Sequence, residues 1–382
     1  MRIVHVYKDF DPPVHGGMER HIALMCRFQR QWADVEALVC SRDWRTRVVE
    51  RDGTRVTEVG EWGRFQSAPA SLLFPWYMRR ARADVLVVHV PNPTAEIGYL
   101  LARPPGRLVV RYHSDVVRQA SAMKVYGPIQ VTFLRKADMI IPTSGLYVET
   151  SATLQAVMRP LSEEARARMI RVVPLGILTE EFARPDASKV AQWRARYGGG
   201  YVLFAGCHRY YKGLEYLVRA ARSIRAPVVM VGDGRERPRL EALAREVGAA
   251  IHFPGTLSQA DLVDHLHGCD VFAFPSVERS EAFGLAILEA HACGKPVVAT
   301  RLGTGVELAN LGGETGLNVP PRDSEALAAA INTLLADAEM RAVMGERARA
   351  RVTREFHAER VARDEFALYE EVLKGRSSES RI

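Results

Sequence analysis

Cysteine is scarce and unpaired in this chain: Cys26, Cys40, Cys207, Cys269 and Cys293 are odd in number and form no C-x-x-C spacing. Such a set argues against a disulfide framework and a cysteine-built zinc site, and it fits a reducing cytoplasm. Long apolar runs are missing too. Nothing approaches the roughly 20 residues that span a bilayer, and Ile3–Val6, directly after Met1-Arg2, is too short for the core of a signal peptide and reads as a first strand. The dinucleotide fingerprint G-x-G-x-x-G is absent, which weakens a dehydrogenase reading. There is no short repeat and no recognised nucleic-acid module, and the polar tail Gly375–Ile382 is the one low-complexity stretch.

What is present suits a globular protein about twice the size of a typical domain: 382 residues, 47% hydrophobic and 25% charged, so two domains are expected. The net charge of +7 points to an acidic partner without choosing among nucleic acid, anionic membrane and anionic small substrate. Short runs at Ile3–Tyr7, Val35–Val39, Val85–Val88, Leu108–Arg111, Met139–Pro142 and Val172–Pro174 are apolar throughout rather than alternating. Strands buried on both faces by crossover helices have that composition, so the first half is expected to be an α/β, doubly wound parallel sheet. The rhythm restarts after Pro174 with Tyr201–Ala205, Pro227–Val231, Ala250–Phe253, Val271–Phe274 and Pro296–Thr300, separated by helical patterns such as Leu214–Ile224 and Arg237–Val247. This predicts a second Rossmann-like sheet. Pro174-Leu175-Gly176 and the polar segment Thr179–Ser188 mark a linker. The expected domains are therefore 1–178 and 179–355, with 356–374 as a final amphipathic helix whose apolar face carries Val361, Phe366, Leu368, Tyr369, Val372 and Leu373.

Two carboxylates, Glu281 and Glu289, flank Phe283-Gly284 just after the apolar run Val271–Pro275. A buried strand that breaks at a proline, passes a polar loop and starts a helix delivers side chains and helix N–H groups to the sheet edge where α/β proteins bind ligands. Cys207-His208-Arg209-Tyr210-Tyr211-Lys212-Gly213 follows another strand in the same way. There Arg209 as a bidentate fork and Lys212 as a point charge suit a diphosphate. In the first half, Gly16-Gly17 sit where the first βα turn meets a helix, so backbone N–H groups can approach an anion, and His113 follows the strand Leu108–Arg111 at the same edge. Each feature has a bland counterpart: a tight turn, a solvated loop, a structural histidine. Their convergence on sheet edges favours a ligand. Asp9-Phe10-Asp11 is a D-x-D, but it lies beside Pro12-Pro13 in the first loop, where aspartate turns or caps the chain, so no metal set is expected.

Together these residues resemble the retaining nucleotide-sugar glycosyltransferases of family 4, of the bacterial surface-polysaccharide type. The resemblance covers nearly the whole chain: Pro13-x2-Gly16-Gly17-x-Glu19, His113-Ser114, Pro174-Leu175-Gly176-Ile177, Tyr210-Tyr211-Lys212-Gly213, Val231-Gly232-Asp233-Gly234, Pro275-Ser276, the Glu281 to Glu289 motif and Gly294-Lys295-Pro296-Val297-Val298-Ala299-Thr300 occur in order. It implies the GT-B fold, in which two Rossmann-like domains face each other across a cleft and the C-terminal helix crosses back to the first. By the same resemblance the first domain binds the acceptor and the second the donor. Arg209 and Lys212 would hold the donor diphosphate, Glu281 with Ala282, Phe283, Gly284 and Leu285 the sugar and β-phosphate, and Glu289 the ribose. Gly232 and Asp233 would lie near the base, Gly16 and Gly17 over the phosphates, and His113 against the transferred sugar. No cofactor and no metal would be needed, because the two cations and the helix start near Gly284 stabilise the leaving group. Retention would follow from a front-face reaction in which the departing phosphate helps to deprotonate the acceptor. Two departures stand out: Cys207 where the family usually has Arg, and Leu178 where it usually has Asp.

Leu72–Arg82, with Val125-Tyr126 and Phe133-Leu134-Arg135-Lys136, sets apolar residues beside basic ones, as an interface with anionic lipid headgroups would. A core helix with a solvated arginine face has the same composition. The expectation is a cytoplasmic enzyme, peripheral at the inner leaflet, that moves a hexose from a GDP- or UDP-sugar to a saccharide or lipid-linked saccharide, with mannose among the candidates and no nucleic-acid partner. The alternatives are a nucleotide-sugar epimerase, an α-glucan synthase or phosphorylase, and a non-catalytic two-lobed sugar-binding protein.

Overall fold

In the computed structural model, which describes residues 1–65, 68–116 and 120–379, the apolar runs become the central strands of two sheets. The chain forms two compact units, Met1–Leu175 together with the chain from Ala358 onward, and Gly176–His357. Of the segments singled out above, the side chain of Val125 and the tail beyond residue 379 lie outside the described residues. Among the described residues no helix is long and apolar enough to cross a membrane.

The first unit holds β1 (Arg2–Val6), β2 (Asp34–Cys40), β3 (Arg47–Arg51), β4 (Thr54–Val59), β5 (Gly63–Phe65), β6 (Ala68–Ala70), β7 (Val85–Val90), β8 (Arg107–Tyr112) and β9 (Met139–Pro142). Seven of them form one sheet in the order β3-β4-β2-β1-β7-β8-β9, parallel except for the antiparallel pair β3/β4; β5 and β6 form a separate small ribbon. The hairpin β3/β4 turns at Asp52-Gly53, both with positive φ, a short-loop signal that the continuous-apolar criterion passes over. The expected strand Val172–Pro174 does not form. Arg171 and Val173 each donate one backbone bond to the β9 segment, but Pro174 has no N–H with which to continue a ladder.

Two helices that pack on each other lie against this sheet, one touching β2 and the other β8. Gly17–Gln29 buries His21, Ile22, Met25, Cys26 and Gln29, the three-and-four spacing of an amphipathic helix. The C-terminal helix, Ala358–Glu379, packs against it and buries Val361, Ala362, Glu365, Leu368, Tyr369 and Val372. The charged Glu365 thus occupies the stripe, while Phe366, expected there, is half-buried against Trp32 at a ring separation of 5.3 Å.

The second unit holds β10 (Val202–Ala205), β11 (Val228–Val231), β12 (Ile251–Gly255), β13 (Val271–Phe274), β14 (Val297–Thr300) and β15 (Gly316–Val319), all parallel, in the order β12-β11-β10-β13-β14-β15. Every residue of β10, β11, β13 and β14 is buried, and all of them but Thr300 are apolar. At about 1.5–3 kcal/mol for each large apolar side chain removed from water, these four strands anchor the unit. The chain runs outward from β10 through β11 to β12 and then returns to β13 on the other flank of β10. The strand order therefore reverses between β10 and β13, and the loops there leave in opposite directions and open a crevice at the strands' carboxyl ends. In the first unit the same reversal lies between β1 and β7.

Candidate active site

At the reversal in the second sheet, the loop after β10 carries Arg209 and Lys212 and the loop after β13 carries Glu281. The fold brings Lys212 and Glu281 together: Nζ donates to Oε2 at 2.5 Å, and Ser276 Oγ donates to the same oxygen at 3.0 Å. Burial works against the Lys212 charge, but Glu281 and then Tyr211 outweigh it and raise its pKa. The ammonium also lies 5.0 Å from the centre of the Phe274 ring. A permanent cation is thus held in a poorly hydrated place, where it attracts an anion more strongly than a surface lysine does. An ammonium has three donors, and Glu281 takes one. Arg209 stands exposed beside Cys207 and Tyr211.

Directly after Glu281 the chain enters the helix Leu285–Ala292, whose N-cap, Gly284, is left-handed and offers no side-chain cap. Ile287 N–H turns back to the Gly284 carbonyl at 2.9 Å, and among the described residues no side chain caps the N–H groups before it, so they and the positive end of the dipole can receive an acceptor. The loop after β14 clamps the approach to this helix: Thr304 Oγ1 donates to the Glu281 carbonyl at 2.9 Å and Gly305 N to the Ala282 carbonyl at 2.8 Å. Ala282 and Phe283 are buried, the latter edge-on to Phe356 at 6.0 Å. Leu285 and Glu289 are half-buried on the helix itself.

Close backbone approach fixes these loops in register. Gly213, at φ +62°, ends the turn Tyr210–Lys212, and a Cβ there would lie 2.1 Å from the Pro275 carbonyl oxygen. Val277 N completes the contact by donating to Tyr211 O at 2.8 Å. Gly232, at φ +117°, sits against Gly206, with 2.1 Å from a would-be Cβ to its carbonyl oxygen. Asp233 follows; its carbonyl accepts from His208 N at 2.8 Å and its exposed carboxylate turns back to Gly234 N at 2.7 Å. Ser276, Thr304 and Gly305 are the supporting residues that pattern alone did not single out as parts of the site.

In the first unit, Gly16 is the extended N-cap of the helix Gly17–Gln29, which starts without a side-chain cap. His113 lies one residue beyond β8, with its N–H on the Val90 carbonyl at 3.0 Å, and is only 3% exposed. It is not a lone histidine. Its Nε2 is 2.9 Å from His89 Nδ1, His89 Nε2 is 3.0 Å from His5 Nδ1, and His5 Nε2 is 2.9 Å from Gln29 Oε1. The His113 ring stacks on His89 at 5.2 Å and meets His21 edge-on at 5.6 Å. Burial pushes all four rings toward the neutral form, His5 to about 4 and His89 and His113 well below the ordinary value. Beside them Arg111 and Glu365, both fully buried, pair at 2.9 Å. Burial opposes the Glu365 charge, yet Arg111, then His21 and the Tyr369 hydroxyl, hold its pKa down at about 2. The sequence carried a signal for this cluster: histidines inside otherwise apolar strands, and a glutamate in the stripe of the last helix.

Among the described residues no three His, Cys, Asp or Glu side chains are grouped so as to hold a metal ion. In the D-x-D, Asp9 is occupied by Arg42 at 2.9 Å and Arg64 at 2.8 Å, which outweigh its burial and lower its pKa; Asp11 faces His15 at 2.8 Å. Cys207 is exposed and the other four cysteines are buried. Leu178 is half-buried at the start of the turn Thr179–Phe182.

The chain matches the family model of glycosyl transferases group 1 over residues 188–351 and that of the glycosyl transferase 4-like domain over residues 16–176. The O-antigen chain mannosyltransferase C of Escherichia coli is 34% identical over 381 residues, covering 99% of this chain and 100% of that protein. The chain belongs to the group 1, family 4 glycosyl transferases. This glycosyltransferase is also 34% identical over 362 residues to the D-rhamnosyltransferase WbpZ of Pseudomonas aeruginosa, covering 94% of this chain and 93% of that protein. A sucrose-phosphate synthase from Thermosynechococcus elongatus superposes with a TM-score of 0.80 over 98% of this chain and 99% of its own, at 24% identity, which shows a shared GT-B fold. Membership in an enzyme family removes the non-catalytic binding protein from the alternatives.

Proposed function

We propose that this glycosyltransferase moves a hexose from a nucleoside diphosphate sugar held by the second unit to a saccharide acceptor held by the first, with retention and without a metal. One observation carries the donor assignment: Arg209, Lys212, Glu281 and the uncapped start of Leu285–Ala292 share the reversal point between β10 and β13. The leaving diphosphate gains negative charge in the transition state, and preorganised cations and N–H groups are what stabilise it. An arriving diphosphate competes with Glu281 for Lys212. Once Lys212 turns to the phosphate, Glu281 is released to accept from sugar hydroxyls. Glu289 is assigned to the ribose, Gly232 and Asp233 to the vicinity of the base, Gly16 and Gly17 to the phosphates, and His113 to the transferred sugar.

Retention through a covalent intermediate would need a free carboxylate at the sugar carbon. Glu281 is taken up by Lys212 and Ser276 before the donor arrives and by sugar hydroxyls after it, which favours the front-face route; trapping of a glycosyl adduct on Glu281 would overturn it. That the E. coli relative is a mannosyltransferase supports mannose as the first sugar to test. A lipid-linked acceptor and work at a membrane draw support from part of the surface of the first unit: of the segments read as an interface, Phe74, Met78, Phe133 and Leu134 are core residues, whereas Leu72, Leu73 and Trp76 stay at the surface. Trp44, Trp62, Phe65, Leu72 and Trp76 are exposed there, with Arg45 lying 5.0 Å over the Trp44 ring and Arg80 4.4 Å over Trp76, the pairing of aromatic and basic groups that suits anionic headgroups.

A thermal-shift screen with UDP, GDP, ADP and their sugars tests the reading. One nucleotide should raise the unfolding temperature, by about 2.7 kcal/mol of added stability at a hundredfold excess over its dissociation constant, and its sugar should be transferred equally well with and without EDTA. A protein that responds to none of them, or that stops turning over in EDTA, contradicts it.

A further inference from the structure

We infer that a hydrogen-bond relay running from the C-terminal helix through Gln29, His5 and His89 fixes the ring tautomer of His113, leaving its Nδ1 as a bare acceptor for a hydroxyl of the bound sugar. The naming of the ligand rests on the proposed function; the relay itself rests on partners and distances within one compact unit.

The direction of every proton follows from the charged end. Glu365, ionised against Arg111, can only accept, so the Tyr369 hydroxyl donates to it at 2.9 Å. The Tyr369 oxygen is left with lone pairs. The Gln29 amide lies beside it and sets its oxygen toward His5, at 2.9 Å from Nε2, while its NH2 group makes no hydrogen bond among the described residues. An amide oxygen only accepts, so His5 Nε2 carries the hydrogen. A neutral imidazole has one N–H and one bare nitrogen. His5 Nδ1 is then bare and accepts from His89 Nε2; His89 Nδ1 is bare and accepts from His113 Nε2. The last bare atom is His113 Nδ1, which is buried and has no hydrogen-bond partner among the described residues. Reversing the relay would require the Gln29 amide to turn over and set its oxygen against the lone pairs of Tyr369.

A buried acceptor without a donor is unfavourable by about 1–3 kcal/mol, so it selects a ligand group that donates. A sugar hydroxyl does; a phosphate oxygen does not. Gln29, His5 and His89 are thus positioning residues, and His113 orients the sugar while the positive charge for the diphosphate comes from Lys212 and Arg209.

The test is a long-range proton–nitrogen NMR correlation on the intact 15N-histidine protein at neutral pH, repeated for Gln29→Leu, with GDP affinity and turnover of GDP-mannose measured on both. The relay predicts N–H at Nε2 and a bare Nδ1 for His5, His89 and His113, and a mixture of tautomers at His113 in Gln29→Leu. Transfer in that variant should fall about ten-fold, the effect of one misdirected hydrogen bond, while GDP affinity is unchanged. If Gln29→Leu does not fold, Tyr369→Phe removes the lone pairs that orient the amide and is read in the same way. N–H at His113 Nδ1, a doubly protonated ring, or a tautomer indifferent to both substitutions overturns the relay. Tautomers as inferred, together with unaltered transfer in His113→Ala, overturn instead the contact between His113 and the sugar.

Discussion

At the scale of single residues, the pairing of Lys212 with Glu281 separates two effects that a plain loss of activity would confuse. Removing either partner leaves the other charge buried, which typically costs roughly 3–5 kcal/mol. Lys212→Ala and Glu281→Ala should therefore each lower the urea midpoint, and the double variant should regain most of that loss while remaining inactive. Recovery of turnover in the double variant would reject the role given to Lys212. The two acids of the motif are expected to behave differently. Glu281→Ala should depress turnover while nucleotide affinity holds or rises, because Lys212 is then unopposed in binding the diphosphate. Glu289→Ala should weaken nucleotide binding, a difference that titration calorimetry with the nucleoside diphosphate reads directly. The candidate site residues were named from the sequence because glycines, cations and acids stood just past apolar strands. The pairing of Lys212 with Glu281 was not, because the two lie 69 positions apart and meet only when β10 and β13 become neighbours.

At the scale of elements, the C-terminal helix does more than cover the sheet. Glu365 balances the buried Arg111, whose other nitrogens donate to the carbonyls of Ile141 and Pro174, both at 2.9 Å. Glu365→Gln leaves Arg111 uncompensated and should destabilise the first unit by roughly 3–5 kcal/mol, measurable by denaturant unfolding. The histidines add a pH dependence with a defined sign. They are neutral when folded and bind protons when unfolded below about pH 6.5, so their stabilisation is complete above that value and is lost as pH falls toward 4, the value to which His5 is pushed. Fully expressed, the His5 shift alone corresponds to about 3 kcal/mol. Glu365, held at about 2, stabilises above the usual carboxylate range and loses its contribution only below it. The urea midpoint should fall between pH 6.5 and 4.5, and a midpoint flat over that interval would contradict a neutral cluster. Central strands were legible as continuous apolar runs because both their faces are covered. β3 and β4 were not, because this edge hairpin is partly exposed and its residues alternate. The histidines and Glu365 stood out in the sequence as polar residues in apolar patterns, but their connection did not, because the members come from four different elements and one loop.

At the scale of the whole molecule, a net charge of +7 and exposed aromatic residues among arginines predict binding to anionic vesicles that weakens with salt, since the screening length falls from about 10 Å at 0.1 M to about 3 Å at 1 M. Co-sedimentation with phosphatidylserine vesicles at low salt, lost at high salt and absent with neutral vesicles, is the expected pattern. Failure to sediment at low salt removes the membrane from the proposal and leaves the donor site untouched. The claim on which the rest depends is that Lys212 stabilises a leaving diphosphate at the reversal point of the second sheet. Turnover of the nucleotide sugar by Lys212→Ala, measured where the variant is shown to be folded, tests it most directly: the account predicts a fall of roughly 100- to 1000-fold, and turnover equal to that of the unaltered protein would contradict it.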